Sequence, residues 1–128
     1  TPLRHALEVR NESFLCEEFL QLARRRRCAC VFTDSREYPG FADVTGDFVY
    51  ARLMHSREPE REGYPAKELD AWSERVRLWG QGGEPDDLPR VTPGDDTKSA
   101  PRDVFVYFIS AAKARNPAAA MALQRRLA

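Results

Sequence analysis

Two kinds of hydrophobic spacing alternate along the first part of the chain. Short apolar runs at His5–Arg10 and Cys28–Thr33 predict β-strands, and the second run is apolar on both faces, as in parallel strands covered by helices. Between them, apolar residues recur at steps of three and four. This spacing predicts a helix with Asn11 and Ser13 as caps and with Arg24–Arg27 at its end.

The same order of elements continues beyond residue 33. Residues 34–46 show no period and predict an irregular connection to a third strand at Asp47–Leu53. A polar loop at 55–63 follows that strand. The next helix, from Pro65 to Gly80, is the clearest in the chain, because its apolar residues repeat at helical spacing: Leu69, Trp72, Val76 and Trp79.

The last part of the chain predicts a loop, a strand and a helix. Residues 81–102 are rich in Gly, Pro and Asp, so we expect a mobile surface loop within one domain that spans residues 1–128. A fourth strand is predicted at Val104–Phe108, and Asn116-Pro117 opens a helix that runs to Leu127.

Strands that alternate with helices indicate an α/β fold with mostly parallel strands and flanking helices. Four predicted strands are half of the eight in a closed TIM-like (β/α) barrel, which usually takes about 250 residues. We therefore expect about half of such a barrel. The sequence begins at Thr1, and it leaves open a homodimer, a missing barrel half in another chain, and a piece of a longer protein.

The charge balance disfavours two classes of partner. Lys plus Arg and Asp plus Glu both number 20, so the formal net charge is zero and no overall field attracts nucleic acid or an anionic membrane. No apolar run approaches the ~18 residues of a membrane span. We interpret Arg24–Arg27 as cations at a helix C-terminus rather than as a nucleic-acid patch.

The cysteines indicate neither a metal site nor a disulfide framework. Cys16, Cys28 and Cys30 do not form paired zinc-ligand motifs. Free cysteines in an apolar strand are typical of a reducing compartment, so we expect a cytoplasmic protein. We predict no metal site, and the sequence leaves any cofactor unknown.

Strand alternation predicts a cluster of polar side chains inside the barrel. Asp34 ends the second strand on the face that carries Cys30 and Phe32, and we assign that face to the interior. The C-terminal ends of parallel strands hold the functional groups of barrel enzymes. The set predicted to meet there is Glu8, Arg10, Asp34, Tyr50 and Arg52.

Two interpretations of this cluster stay open. In the first, Glu8 and Asp34 simply neutralise the two arginines, because a buried charge without a partner is costly. In the second, Arg10, Tyr50 and Arg52 bind a small anionic ligand, and a carboxylate acts as acid or base.

A histidine follows the third strand. His55 could add a group that titrates near neutral pH, so we include it with Glu8 and Asp34 among the candidate catalytic residues. No Gly-rich phosphate loop, histidine pair or GxSxG motif specifies a reaction. An enzyme and a non-catalytic interaction module are both open.

Four stretches resemble the YecE-like family, also called domain of unknown function 72. They are Leu7–Phe14, Asp47–Leu53, Tyr64–Trp72 and Asp103–Phe108 with the alanine-rich segment after it. The resemblance is to the later half of that family, and it implies a TIM-barrel-like fold about twice as long, with no established activity. It also implies that motif positions of the family are occupied by Glu8, Arg10, Tyr50 and Arg52.

The chain departs from the family pattern in two places. The family's Leu-His-Gly is replaced by Leu53-Met54-His55-Ser56, which displaces the histidine by one residue. The asparagines expected after the last strand are replaced by Ile109-Ser110, which removes amide groups from the predicted mouth of the barrel.

Overall fold

The computed structural model describes residues 3–93 and 100–128. Within them lie five β-strands, three α-helices and two short 3₁₀ turns, at Glu12–Phe14 and Lys113–Arg115. The strands are β1 (His5–Leu7), β2 (Cys28–Cys30), β3 (Phe32–Thr33), β4 (Phe48–Leu53) and β5 (Asp103–Phe108). The helices are α1 (Glu17–Arg25), α2 (Ala66–Gly80) and α3 (Asn116–Leu127).

All strand pairs are parallel, and the strands follow chain order across two sheets. β1 pairs with β2, while β3, β4 and β5 form a three-stranded sheet in that order. Helices α1, α2 and α3 connect or follow these strands. The predicted fold class, parallel strands with flanking helices, is therefore confirmed.

The second predicted strand is not continuous. It breaks at Val31, whose amide donates a hydrogen bond to the carbonyl of Leu7 at 2.8 Å. Before the break, Cys28–Cys30 pairs with β1, and after it Phe32 and Thr33 pair with Ala51 and Arg52 of β4. The break is the point at which this part of the chain changes partner from one sheet to the other.

The main core lies between the three-stranded sheet and helices α2 and α3. Alternate residues of β4 face it, namely Val49, Ala51 and Leu53, and they pack against Leu69, Trp72 and Trp79 of α2. These helix residues are buried as their spacing predicted. A second cluster joins α1 to β2 through Leu20, Ala23, Cys30 and Phe41.

The beginning of the chain differs from its prediction. β1 is shorter than the predicted strand, and all three of its residues are exposed. Asn11 does cap a helical turn, since its Oδ1 accepts a hydrogen bond from the amide of Ser13 at 2.9 Å, but the turn is 3₁₀ and ends at Phe14. Helix α1 begins only at Glu17, two residues after that turn closes at Leu15.

The predicted mobile loop at 81–102 lies partly outside the described residues, which omit 94–99. Residues 84–92 of this segment form hydrogen bonds with residues 43 and 44. The buried carboxylate of Asp43 accepts hydrogen bonds from the amides of Val91 and Thr92 at 2.7 and 3.0 Å, and that of Glu84 accepts one from the amide of Val44 at 2.9 Å. Among the described residues, no helix combines the length and the apolar character that a membrane crossing requires.

Candidate functional site

The sheet face opposite the helices, which we call the inner face, carries a row of aromatic and charged side chains. Because side chains alternate along a strand, the residues between the core positions of β4 must point here. They are Phe48, Tyr50 and Arg52, and on β5 the corresponding exposed residues are Asp103, Phe105 and Tyr107. The inward direction predicted for Tyr50 and Arg52 agrees with this arrangement.

A shared carboxylate organises the charged end of the inner face. Glu8, just beyond β1, accepts hydrogen bonds from Arg10 at 2.6 Å through one carboxylate oxygen and from Arg52 through the other. The sequence therefore predicted correctly that these three side chains meet. Burial opposes ionisation of Glu8, but hydrogen bonds from the two guanidinium groups outweigh it, and the pKa of Glu8 lies below its usual value.

Two tyrosines complete the wall beside Arg52. The rings of Tyr50 and Tyr107 stack with their centroids 5.0 Å apart. Together with Glu8 and Arg52, and with the apolar side chains of Ala6, Val31 and Ile109, they line a pocket of about 370 Å³, which we call the inner pocket. Arg10 does not line this pocket. Its guanidinium lies 4.1 Å from the ring centroid of Tyr38, and these two residues line a separate pocket.

The inward position predicted for Asp34 is wrong. Asp34 does share a face with Cys30 and Phe32, but that face is the helix side. Phe32 packs against Trp72 and Trp79 of α2, with ring centroids 5.7 and 6.2 Å apart, and Cys30 packs against α1. The prediction failed because residues 28–32 of this strand are all apolar, so that periodicity could not distinguish its two faces.

Asp34 instead lines a second cavity, which we call the outer cleft. This cleft has a volume of about 470 Å³ and lies between the ends of β3 and β4 and helix α2. His55 lines it too, so this predicted residue also lies apart from Glu8 and the arginines. The inner pocket and the outer cleft have no lining residue in common.

Neutral donors hold Asp34 in place. One carboxylate oxygen accepts a hydrogen bond from the amide of Met54, and the other accepts one from the hydroxyl of Tyr64, both at 2.6 Å. The hydroxyl of Tyr64 in turn accepts a hydrogen bond from the amide of His55 at 2.9 Å. Burial raises the pKa of Asp34 above its usual value despite these bonds, and burial beside Asp34 raises that of Tyr64.

Three functional candidates were missed at the sequence level. Tyr107 could have been found by applying the alternation of β4 to β5 as well. Tyr64 precedes the helix-opening Pro65, and no spacing rule indicates that its hydroxyl reaches Asp34. Tyr38 lies in the irregular segment 34–46, where periodicity gives no direction.

The described residues offer oxygen and nitrogen ligands only in small groups. No set of three His, Cys, Asp or Glu side chains in residues 3–93 and 100–128 is arranged to hold a metal ion. The inner pocket is lined by Arg52 and Glu8, and Glu8 also pairs with Arg10 outside the pocket. The outer cleft contains a carboxylate, Asp34, whose hydrogen-bond donors are neutral.

A family model described as "protein of unknown function DUF72" matches residues 1–128. The chain belongs to the DUF72 family. This agrees with the resemblance to the YecE-like family that the sequence motifs indicated. No curated protein matches the chain.

Two solved DUF72 structures are similar to this chain. A DUF72 family protein from Enterococcus faecalis V583 shares 19% sequence identity with a TM-score of 0.64, covering 98% of this chain and 49% of that one. A DUF72 family protein from Thermotoga maritima MSB8 shares 23% identity with a TM-score of 0.60, covering 96% and 45%. The chain thus spans about half the length of these DUF72 structures, which is consistent with a half-barrel.

Proposed function

We propose that the inner pocket binds a small anionic ligand near the C-terminal ends of the strands, with Arg52 as its direct cationic partner and with Arg10 adding positive charge next to Glu8. The observation that carries this proposal is the charge of the cluster. Two guanidinium groups share the single carboxylate of Glu8, so this cluster carries one positive charge in excess, and its Arg52 and Glu8 line an open pocket. An anion in the pocket would compensate that charge and accept charge-assisted hydrogen bonds.

Arg52 is well placed to bind an anion in this pocket. Arg52 is fixed by β4 and by Glu8, and its side chain is 23% exposed, so it is partly desolvated yet accessible from the pocket. A planar guanidinium held in one orientation pairs with carboxylate or phosphate at a lower entropic cost than a free side chain. Tyr50 supplies a hydroxyl on the same wall, which could donate a hydrogen bond to the ligand.

Glu8 has a restricted role in this proposal. Because its pKa is lowered, Glu8 is ionised at neutral pH. It therefore serves as counter-ion or as proton acceptor, and not as the acid. Asp34 and His55 belong to the outer cleft and take no part in this site.

Calorimetric titration with inorganic phosphate tests the proposal. We expect Arg52→Gln to weaken phosphate binding at least about tenfold, the loss typical of one charge-assisted hydrogen bond. We expect Glu8→Gln to strengthen it, since the competing internal anion is removed. Arg126→Gln is the matched control, because Arg126 lies on α3 and pairs with Asp70 away from the pocket.

The opposite signs expected for Arg52→Gln and Glu8→Gln make the test specific. A general loss of fold would weaken binding in both variants, and circular dichroism of each protein would reveal it. Phosphate binding that is equal in the Arg52 and Arg126 variants would reject the proposal.

A second function is favoured by the exposed aromatic residues of the inner face. Phe105 and Tyr107 are 37% and 45% exposed, and β1 pairs on one side only among the described strands. Exposed aromatic surface and an open strand edge are features of interaction sites. The alternative is therefore an assembly module that pairs with a second copy or with another barrel half.

Sedimentation across a hundredfold concentration range distinguishes the two functions. A mass that doubles with concentration, and that stays monomeric in Tyr107→Lys, would favour assembly through the inner face. A monomer at all concentrations would reject homodimer formation and leave the anion pocket open to solvent.

We also propose a cytoplasmic location, which the cysteines support. Cys16, Cys28 and Cys30 are free thiols, and Cys30 is buried. Thiols stay reduced in the cytosol. Protein isolated under thiol-blocking conditions should carry three blocked cysteines, whereas a disulfide would contradict the proposed location.

A further inference from the structure

The outer cleft contains one carboxylate that forms no salt bridge with another described residue. Of the charged side chains that line it, Glu68 pairs with Arg57 at 2.6 Å, and Arg75 pairs with Asp87 at 3.0 Å. Asp34 has no salt-bridge partner among the described residues, since its hydrogen-bond donors are a tyrosine hydroxyl and a main-chain amide.

Because Asp34 is partly buried, the lack of a salt-bridge partner is energetically unfavourable for its ionised form. Its side chain is partly buried at the end of β3, next to the aromatic floor formed by Phe32 and Trp72, which are 4% and 5% exposed. A carboxylate in such surroundings gains more from a cation than one in water, because the local dielectric constant is lower. A bound cation would thus be attracted here more strongly than at a surface carboxylate.

The lining of the cleft favours an organic cation over a metal ion. A metal ion needs several oxygen or nitrogen ligands at one point, and the described residues provide no such group of three. The cleft instead combines the carboxylate of Asp34 with the apolar side chains of Trp72, Leu88 and Pro89. The guanidinium of Arg75 lies 4.4 Å from the ring centroid of Trp72. The apolar walls formed by Trp72, Leu88 and Pro89 suit the carbon chain of an alkylammonium group.

We propose that the outer cleft is a second binding site, specific for a small primary ammonium compound, with Asp34 as its anionic anchor. The ammonium group donates charge-assisted hydrogen bonds to Asp34, and the carbon chain packs on the apolar walls. Tyr64 is a positioning residue, because its hydroxyl holds the carboxylate without lining the cleft. The site is independent of the anion pocket.

The environment of Asp34 is consistent with this role. The titratable groups around it are His55 and Tyr64, with Glu68 on the facing helix.

Calorimetric titration with butylammonium at pH 8 tests the inference, with 1-butanol as the neutral analogue. We expect butylammonium to bind measurably and butanol to bind at least about tenfold more weakly. Asp34→Asn should weaken butylammonium binding by a similar factor. Asp70→Asn is the control, since Asp70 is an exposed carboxylate of α2 that pairs with Arg126.

A second measurement keeps the inference testable if Asp34→Asn does not fold. Carbon-detected NMR of the wild-type protein follows the carboxyl pKa of Asp34, which should fall when butylammonium is present, by linkage. An unchanged pKa, or equal binding of butanol and butylammonium, would overturn the proposal. Arg52→Gln, which disables the anion pocket, should leave butylammonium binding unchanged.

Discussion

Glu8 and Asp34 are both carboxylates that follow a parallel strand, yet their pKa values shift in opposite directions. Glu8 lies between two guanidinium groups, which lower its pKa. Asp34 lies on the other side of the sheet among neutral donors, where burial raises its pKa. The comparison shows that position at the end of a strand does not decide the chemistry. The partners on each face of the sheet decide it.

The largest expected difference between the two faces concerns packing. Phe32→Ala removes a buried ring that contacts Trp72 and Trp79, and it should lower the free energy of unfolding by about 3–5 kcal/mol. Phe105→Ala, on the exposed inner face, should cost less than about 1 kcal/mol. Urea unfolding measures both values. Similar costs would mean that Phe32 does not belong to the helix side.

Removing the shared carboxylate should have the next largest effect. Glu8→Gln leaves Arg52 without its anionic partner, and we expect a loss of about 1–3 kcal/mol in the free energy of unfolding at pH 7. Glu62→Gln is the control, because the pair of Glu62 with Arg125 is more exposed and should contribute below about 1 kcal/mol. Equal losses would show that the inner cluster is no stronger than a surface ion pair.

A smaller effect is expected from the tyrosine hydroxyl behind Asp34. Tyr64→Phe keeps the ring contact with Phe108 but removes a hydrogen bond to a carboxylate, so we expect a loss of about 1–2 kcal/mol. Tyr107→Phe should change stability by less than about 0.5 kcal/mol, because its hydroxyl has no hydrogen-bond partner among the described residues. Thermal unfolding of the two variants would reject the role of Tyr64 if they matched.

The smallest expected effect is the pH dependence of the free energy of unfolding, and its sign differs between the two sites. The lowered pKa of Glu8 gives stability that is present above its unfolded pKa and is lost as pH falls through the folded value. The raised pKa of Asp34 gives stability that is present at low pH and is lost as pH rises through the folded value. On acidification, the wild type should therefore lose stability relative to Glu8→Gln and gain it relative to Asp34→Asn. Urea unfolding between pH 3 and pH 7 measures both differences, and slopes of the same sign would contradict the contrast.

The sequence predicted where the strands and helices lie better than it predicted which side of the sheet each side chain faces. Helix α2 could be recognised because large apolar residues repeat at helical spacing from Leu69 to Trp79, and burial follows that spacing. The alternation in β4 was equally clear, since polar Arg52 separates buried Ala51 and Leu53. Where polar and apolar residues alternate, one pattern specifies both the element and its orientation.

Glu8 and Asp34 show which side-chain positions strand alternation could predict and which it could not. Glu8 was placed correctly because alternation puts Glu8 and Arg10 on the face opposite the apolar Leu7 and Val9. Asp34 was misplaced because residues 28–32 are all apolar and because the strand changes partner at Val31. Its contact with Tyr64 joins residues 30 positions apart and depends on the packing of a loop. A single sequence carries no periodic signal for such a contact.

The most direct test of two separate sites with opposite charge preference is a two-dimensional amide NMR titration of the wild-type protein with inorganic phosphate. We predict that phosphate changes the amide chemical shifts of residues near Glu8, Tyr50 and Arg52. The amide chemical shifts of Asp34 and His55 should stay constant. Changes centred on Asp34 and His55, or changes spread evenly over the surface, would contradict the account.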